Sequence, residues 1–136
     1  MRSSAGKIVS ELPLILVIED EYAVQGIVED ALTEGGFDTD ILSSAEEALT
    51  LFKSGRKNYK ALVTDVSLKG TLSGWEVARQ IREKVPAFPV VYMTGAAADE
   101  WTSQGVPNSI LLQKPFATAQ LVTAISNLLN TGTPTA

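Results

Sequence analysis

The stretch Leu14-Ile-Leu-Val-Ile-Glu-Asp-Glu21 places five aliphatic side chains in a row and follows them with three acids. A strand with one face in water alternates apolar and polar residues, whereas an unbroken aliphatic run fits a strand covered on both faces. The run falls far short of the roughly 18 apolar residues that span a bilayer. Extended back to Leu12, with Arg2 and Lys7 ahead of it, it has a faint likeness to a secretory signal. Pro13 interrupts that pattern, and acids stand where a small-residue cleavage site belongs. The segment is therefore read as a buried strand, and the protein as cytoplasmic with no membrane partner.

Outward from this strand, short apolar runs alternate with helical patterns. Val24, Ile27, Val28, Ala31 and Leu32 form one stripe of a helix from Tyr22 to Glu34, stopped by Gly35-Gly36. Phe37 to Leu42 is a more polar strand. Ser44 caps a second helix carrying Ala45, Ala48, Leu49 and Phe52, with Glu47 in the capping-box position. Ala61-Leu-Val-Thr64 is a third strand that ends at Asp65. After a loop rich in Gly and Ser comes a helix with Trp75, Ala78, Gln80 and Ile81, which stops before Pro86. Pro89-Val-Val-Tyr-Met93 and Ser109-Ile-Leu-Leu-Gln113 are the fourth and fifth strands, and Ala119 to Leu129 is a last amphipathic helix. Strands separated by helices imply parallel βαβ units with right-handed crossovers. The expected class is α/β, a flavodoxin-like doubly wound five-stranded sheet in the order 2-1-3-4-5. Gly95, Gly105 and Pro107 crowd the fourth crossover, so its helix should be short or irregular. One domain over residues 13–130 is expected, with an N-terminal extension (1–12) and a C-terminal tail (131–136).

The chain has 136 residues, 11 Lys and Arg against 16 Asp and Glu, no His and no Cys. A formal charge of −5 argues against nucleic acid as a partner, because phosphate backbones call for a basic face. Without Cys there is no thiol nucleophile, disulfide or zinc knuckle; without His there is no imidazole base and no phosphohistidine. Chemistry must run on carboxylates, hydroxyls, lysines and a hard metal ion.

Ligands of open parallel sheets collect beyond the carboxyl ends of the strands. Strand one ends in Glu19, Asp20 and Glu21, strand three in Asp65, strand four in Thr94, and strand five in Lys114-Pro115. Clustered carboxylates stay ionised only with a cation between them, and an all-oxygen site suits Mg²⁺. A carboxylate beside Mg²⁺ can attack a phosphoryl group, whose oxygens an ammonium and a hydroxyl would stabilise. Singly, each residue has an ordinary reading: Asp20 as a helix cap, Asp65 as a loop acid, Thr94 as a strand residue, Lys114 as a surface lysine. It is their conjunction at one end of four strands that points to a site. Other site classes fit less well. There is no GxGxxG or Walker-type loop. A haloacid-dehalogenase-type phosphatase needs a second Asp two residues after its nucleophile, where Ser67 stands. Lys53, Arg56, Lys57 and Lys60 read as a solvated helix end and loop.

Ile15-Leu-Val-Ile-Glu-Asp-Glu21, Leu62-Val-Thr-Asp-Val66 with Gly74 downstream, Val91-Tyr-Met-Thr-Gly95 and Lys114-Pro-Phe116 together resemble the receiver domain of bacterial two-component response regulators. The likeness runs in order from about Leu14 to Asn130. It implies that Asp65 is the phosphoacceptor and Asp20 a direct Mg²⁺ ligand. Glu19 assists in the acidic pocket, and the Ser67 backbone carbonyl completes the protein's share of the metal shell. It also implies that Thr94 binds a phosphoryl oxygen, that Lys114 pairs with the phosphoryl group, and that Lys114-Pro115 is cis. Several positions depart from the pattern. Lys69 stands where Pro is usual, in a loop one residue longer than common. Leu111 replaces the aromatic switch residue three before the lysine, and Ala96 and Ser67 occupy positions that often tune dephosphorylation. Between Thr94 and Lys114 about two residues are missing. Tyr92-Met-Thr-Gly and Gly105-Val-Pro-Asn108 look similar to an alphaproteobacterial subgroup.

The resemblance implies a stand-alone Mg²⁺-dependent phosphoreceiver served by a histidine kinase or histidine phosphotransfer protein, without separate substrate turnover. In a fragment of a longer chain, it would be the receiver of a hybrid kinase. Residues 87–136 carry only three charged side chains, Asp99, Glu100 and Lys114, so the 87–130 face is the expected contact for a downstream protein or a second copy. The rivals are a pseudo-receiver that binds its partner without phosphorylation and a Mg²⁺-dependent phosphatase.

Overall fold

The computed structural model describes residues 11–131. Residues 1–10 and 132–136, most of the expected extension and tail, lie outside the described residues. The chain runs β1 (Leu14–Ile18), α1 (Tyr22–Glu34), β2 (Asp38–Leu42), α2 (Ala45–Lys53), β3 (Tyr59–Asp65), α3 (Gly74–Lys84) and β4 (Val90–Thr94). A 3-10 turn (Ala98–Glu100), α4 (Trp101–Gln104), β5 (Ile110–Gln113) and α5 (Thr118–Thr131) complete it. All strands are parallel and form one sheet in the order β2-β1-β3-β4-β5. This is the flavodoxin-like architecture expected from the sequence.

The period-two geometry of the strands sorts the aliphatic runs onto two faces. Leu16, Ile18, Leu62, Val90 and Tyr92 pack with Ala48, Leu49, Ala78 and Ile81 of α2 and α3. Ile15, Val17, Ala61, Val63, Val91 and Met93 pack with Val28, Leu32, Leu121 and Ile125 of α1 and α5. Each strand thus needs aliphatic residues at consecutive positions, which is why the runs are unbroken. The edge strand β2 is only half-buried throughout, matching its polar sequence. Opposite β1, the register steps from Tyr59 to Ala61, so Lys60 is an extra residue and β3 begins earlier than its aliphatic run.

Helix ends follow local chemistry. Ser44 accepts the Glu47 amide at 3.2 Å, one half of the expected capping box. A complete box sits instead at α3, where Ser73 accepts the Glu76 amide at 3.2 Å and Glu76 accepts the Ser73 amide at 2.8 Å. The fourth crossover is short and irregular, as its glycines and proline predict. Side chains hold it in place of helix length: Trp101 Nε1 donates to Ser109 Oγ (2.9 Å), Ser109 Oγ to Val106 O (2.6 Å), and Val106 N to the buried Tyr92 hydroxyl (3.1 Å).

Candidate functional site

Parallel strands bring their carboxyl ends to one edge, and the turn after each strand decides which side chain faces inward. Directly after β1, Glu19 is fully buried, Asp20 is half-buried and Glu21 is exposed. Glu21, not Asp20, is the N-cap of α1, and it makes no side-chain cap hydrogen bond. Asp65 ends β3 and is 7% exposed. Lys114 follows β5 and precedes the cis bond to Pro115. Its Nζ lies 3.1 Å from Asp65 Oδ2 and 3.2 Å from Glu19 Oε1. Lys114 is therefore a bridge between two carboxylates rather than a free surface lysine. Thr94 ends β4, one residue past Met93, the register partner of Asp65. The Thr94 hydroxyl accepts the amides of Ala96 (3.2 Å) and Ala97 (2.8 Å), and its carbonyl accepts the Lys114 amide (2.7 Å). Ser67 is exposed, two residues beyond Asp65.

Carboxylate oxygens of Glu19, Asp20 and Asp65 all lie within 4.8 Å of one another. Glu21, counted from the sequence with the converging acids, stays outside this group. Three hard oxygen donors so close, two of them buried, match the ligand set of Mg²⁺. The same crowding shapes their acidity. Burial pushes the Asp65 carboxyl up; Lys114 and the Ser67 amide pull it back, and Asp20 adds to the rise. Burial also raises Glu19, against the Glu21 amide at 3.0 Å that favours its charged form. For Lys114, burial works to lower its value, but Asp65 and Glu19 outweigh it and hold the ammonium above its ordinary value. The pocket thus sets three carboxyl groups against one ammonium.

Several supporting residues escaped the sequence reading. Gln25 Nε2 donates to the Glu19 carbonyl at 2.6 Å, fixing the turn that aims Glu19 inward. The Lys69 amide donates to Asp20 Oδ2 at 3.2 Å. Gly74 was visible only as part of a motif; its reason is steric, since a Cβ there would overlap the Asp65 carbonyl. Leu111 is half-buried opposite Tyr92 of β4, so the large ring in this part of the core comes from the neighbouring strand. Among the basic residues read as solvated, Lys57 pairs with Asp40 at 2.9 Å, which also accepts the Tyr59 hydroxyl at 2.6 Å. No described helix is long and apolar enough to cross a membrane.

Comparison with known proteins agrees with this architecture. Residues 15–126 match the family model of the response regulator receiver domain. The transcriptional regulatory protein CusR of Escherichia coli K12 is 28% identical over 120 residues, 87% of this chain and 52% of CusR. A probable transcriptional regulator, ycf27 of Porphyra purpurea, is 32% identical over 85% of this chain and 46% of its own length. The chain thus spans about half the length of the curated relatives it matches. The crystal structure of a response regulator receiver protein from Sinorhizobium medicae WSM419 superposes with a TM-score of 0.85 at 45% identity, covering 88% of this chain and 96% of that one. A receiver domain structure from Clostridium thermocellum gives 0.79 at 27% identity, covering 89% and 97%. With the doubly wound sheet, the acidic group and the bridging lysine at its carboxyl edge, and a family match over most of its length, the chain belongs to the response regulator receiver domain family.

Proposed function

We propose that residues 13–130 act as a phosphoacceptor receiver in which Asp65 takes a phosphoryl group from a histidine kinase or histidine phosphotransfer protein. The observation that carries this reading is the Lys114 ammonium, 3.1 Å from Asp65 Oδ2 and 3.2 Å from Glu19 Oε1, beside three carboxylates that lie within 4.8 Å. Glu19, Asp20, Asp65 and the Ser67 carbonyl would hold Mg²⁺, which when bound offsets the negative charge of the incoming phosphoryl group.

The remaining chemistry belongs to the chain. An Asp65 carboxylate oxygen attacks phosphorus, a new P–O bond forms, and the P–N bond of the donor phosphohistidine breaks. Its electron pair returns to the imidazole, which takes up a proton from solvent. None of these 136 residues is His, so the donor phosphohistidine lies outside them. Lys114 pairs with one phosphoryl oxygen. Thr94 Oγ1 already accepts two amides, so its own hydrogen points away from them and serves a second phosphoryl oxygen. Attack by water at phosphorus later restores Asp65 and releases phosphate, a single turnover on the chain itself and not the processing of a free substrate. We place this chemistry in the cytoplasm. The signal passes by contact through the weakly charged 87–130 face to a downstream protein or a second copy. Transcriptional control is named for curated relatives, of which this chain matches about half.

The pseudo-receiver reading keeps two specific supports: the Lys69 amide on Asp20 and Leu111 in place of an aromatic residue. Labelling with a small acyl phosphate and Mg²⁺ separates the readings. The expected result is one phosphate per wild-type chain and none on Asp65→Asn. Equal lack of label on both proteins overturns the phosphoacceptor reading in favour of the pseudo-receiver, and multiple-turnover phosphate release from a free ester overturns it in favour of a phosphatase.

A further inference from the structure

Glu46, in the first turn of α2, turns its carboxylate onto the loop between β3 and α3. One oxygen, Oε2, accepts the Thr71 hydroxyl (2.7 Å), the Thr71 amide (3.0 Å) and the Leu72 amide (3.1 Å). The loop comes down on this carboxylate as bare backbone: Gly70 has φ +104°, and a Cβ there would sit 3.1 Å from Glu46 Oε1. Earlier in the same loop, the Ser67 amide serves Asp65 and the Lys69 amide serves Asp20.

The loop is therefore tied to three carboxylates, two inside the acidic pocket and one outside it. A cation entering the pocket competes with the Ser67 and Lys69 amides for the oxygens of Asp65 and Asp20. It does not compete for Glu46. The tie at Glu46 is the one that persists when the pocket fills. Its need is built into the sequence, because position 69 of this loop is Lys and not Pro. A proline would fix φ and remove the amide hydrogen. With Lys, the loop keeps that freedom and calls for an anchor elsewhere.

We propose that Glu46 is a positioning residue of the acidic pocket: its hydrogen bonds to Thr71 and Leu72 hold the β3–α3 loop so that the Ser67–Lys69 segment stays at the pocket rim. The proposal rests on the reading of that pocket as a Mg²⁺ site. Partners that orient metal ligands typically change affinity by 10–100-fold. Acting at one remove, Glu46 belongs at the lower end.

The test is calorimetric titration of the full chain with Mg²⁺, comparing wild type, Glu46→Ala, Glu46→Gln and Asp20→Asn. Both Glu46 variants lose the same charge, but Gln keeps a carbonyl acceptor for the loop. Glu46→Ala is expected to weaken Mg²⁺ binding by roughly tenfold, and Glu46→Gln to recover most of that loss. Amide exchange at Ser67 and Lys69 should accelerate in Glu46→Ala while the sheet amides remain protected. A merely structural role would lower the melting temperature without moving the Mg²⁺ affinity of the folded variant. The proposal is overturned if Glu46→Ala binds as wild type does, or if Glu46→Gln is as weak as Glu46→Ala, since the effect is then charge alone. Asp20→Asn keeps the two failures apart. If it binds Mg²⁺ as wild type does, or wild type itself binds none at millimolar concentration, the pocket reading fails and takes this proposal with it. Loss of binding in Asp20→Asn alone leaves the pocket standing and removes only Glu46.

Discussion

Replacing Asp65 with Asn should make the metal-free protein more stable, although it removes a salt bridge. Asp65 and Glu19 are both buried, with oxygens no more than 4.8 Å apart, a repulsion of about 3 kcal/mol at an effective dielectric constant of 20. Asp20 adds a smaller repulsion because it is half in water. Against these stands Lys114 at 3.1 Å, an attraction of about 5 kcal/mol on the same scale. The variant does not lose all of that attraction. Lys114 keeps Glu19 at 3.2 Å, and the Asn carbonyl still accepts from the ammonium. The cost of burying the Asp65 charge disappears altogether. The balance favours Asn by about 1–3 kcal/mol, or roughly 3–10 °C in melting temperature for a domain of this size.

The pH dependence has a determined sign. Asp65 and Glu19 are raised above 3.8 and 4.5, so the folded metal-free chain binds more protons than the unfolded chain just above those values. The stability of such groups falls as pH rises through their folded values. Asp40 and Glu46 are lowered, so their contribution is lost only as pH falls through their lower folded values. Urea melts in a chelator, run upward in pH from the ordinary carboxylate values of 3.8 and 4.5, therefore report on the pocket. Wild type should lose stability as pH rises, and Asp65→Asn should show a shallower slope. Mg²⁺ at ten times its dissociation constant should restore about 1.4 kcal/mol to wild type and little to the variant. If Asp65→Asn is less stable than wild type in the chelator, the lysine bridge outweighs the carboxylate crowding and the electrostatic account above is wrong.

Gly74→Ala should cost about 1–3 kcal/mol in a urea melt, because the new methyl overlaps the Asp65 carbonyl and neither backbone can retreat from the β3 edge. Unchanged stability would show that the start of α3 is not packed against the site. Tyr92→Phe should destabilise by about 1–3 kcal/mol by orphaning the buried Val106 amide. Amide exchange should locate the loss in the 96–109 segment, and an effect spread evenly over the sheet would count against it.

The doubly wound sheet was legible because burial on both faces forces apolar residues at consecutive positions, as in Leu14–Ile18 and in residues 90–93 of β4. The irregular fourth crossover was legible for the opposite reason, since Gly105 and Pro107 deny it helix length. Lys114 was legible only through its place at a strand end. A lysine carries no local sign of the two carboxylates it bridges, which come from residues 49 and 95 positions away. Glu46 was illegible altogether, because an acid in a first turn is ordinary helix chemistry. Its distinct role appears only when a loop 25 residues later folds back onto it. The capping box at Ser73 was missed because periodicity marks a helix's apolar stripe and says little about where a long loop hands over to it.

That division bears on how the site is built. The residues that carry charge at the pocket stand at the ends of strands, whose positions the aliphatic core fixes, so their identities and order along the chain suffice to find them. The residues that tune the pocket are Gln25, Glu46, the Lys69 amide and Gly74, held by contacts between elements and fixed by no periodicity. A change at Glu19, Asp65 or Lys114 alters a charge in a largely buried group and is felt directly as stability, by about 1–3 kcal/mol or more. A change at a tuning residue leaves that charge intact and moves only the backbone that faces it. The β3–α3 loop can therefore change without dismantling the sheet. The Glu46 anchor lies on α2, which contributes no carboxylate to the acidic group. The chemistry at Glu46 is thus free to change with the loop while the charged residues of the pocket stay fixed.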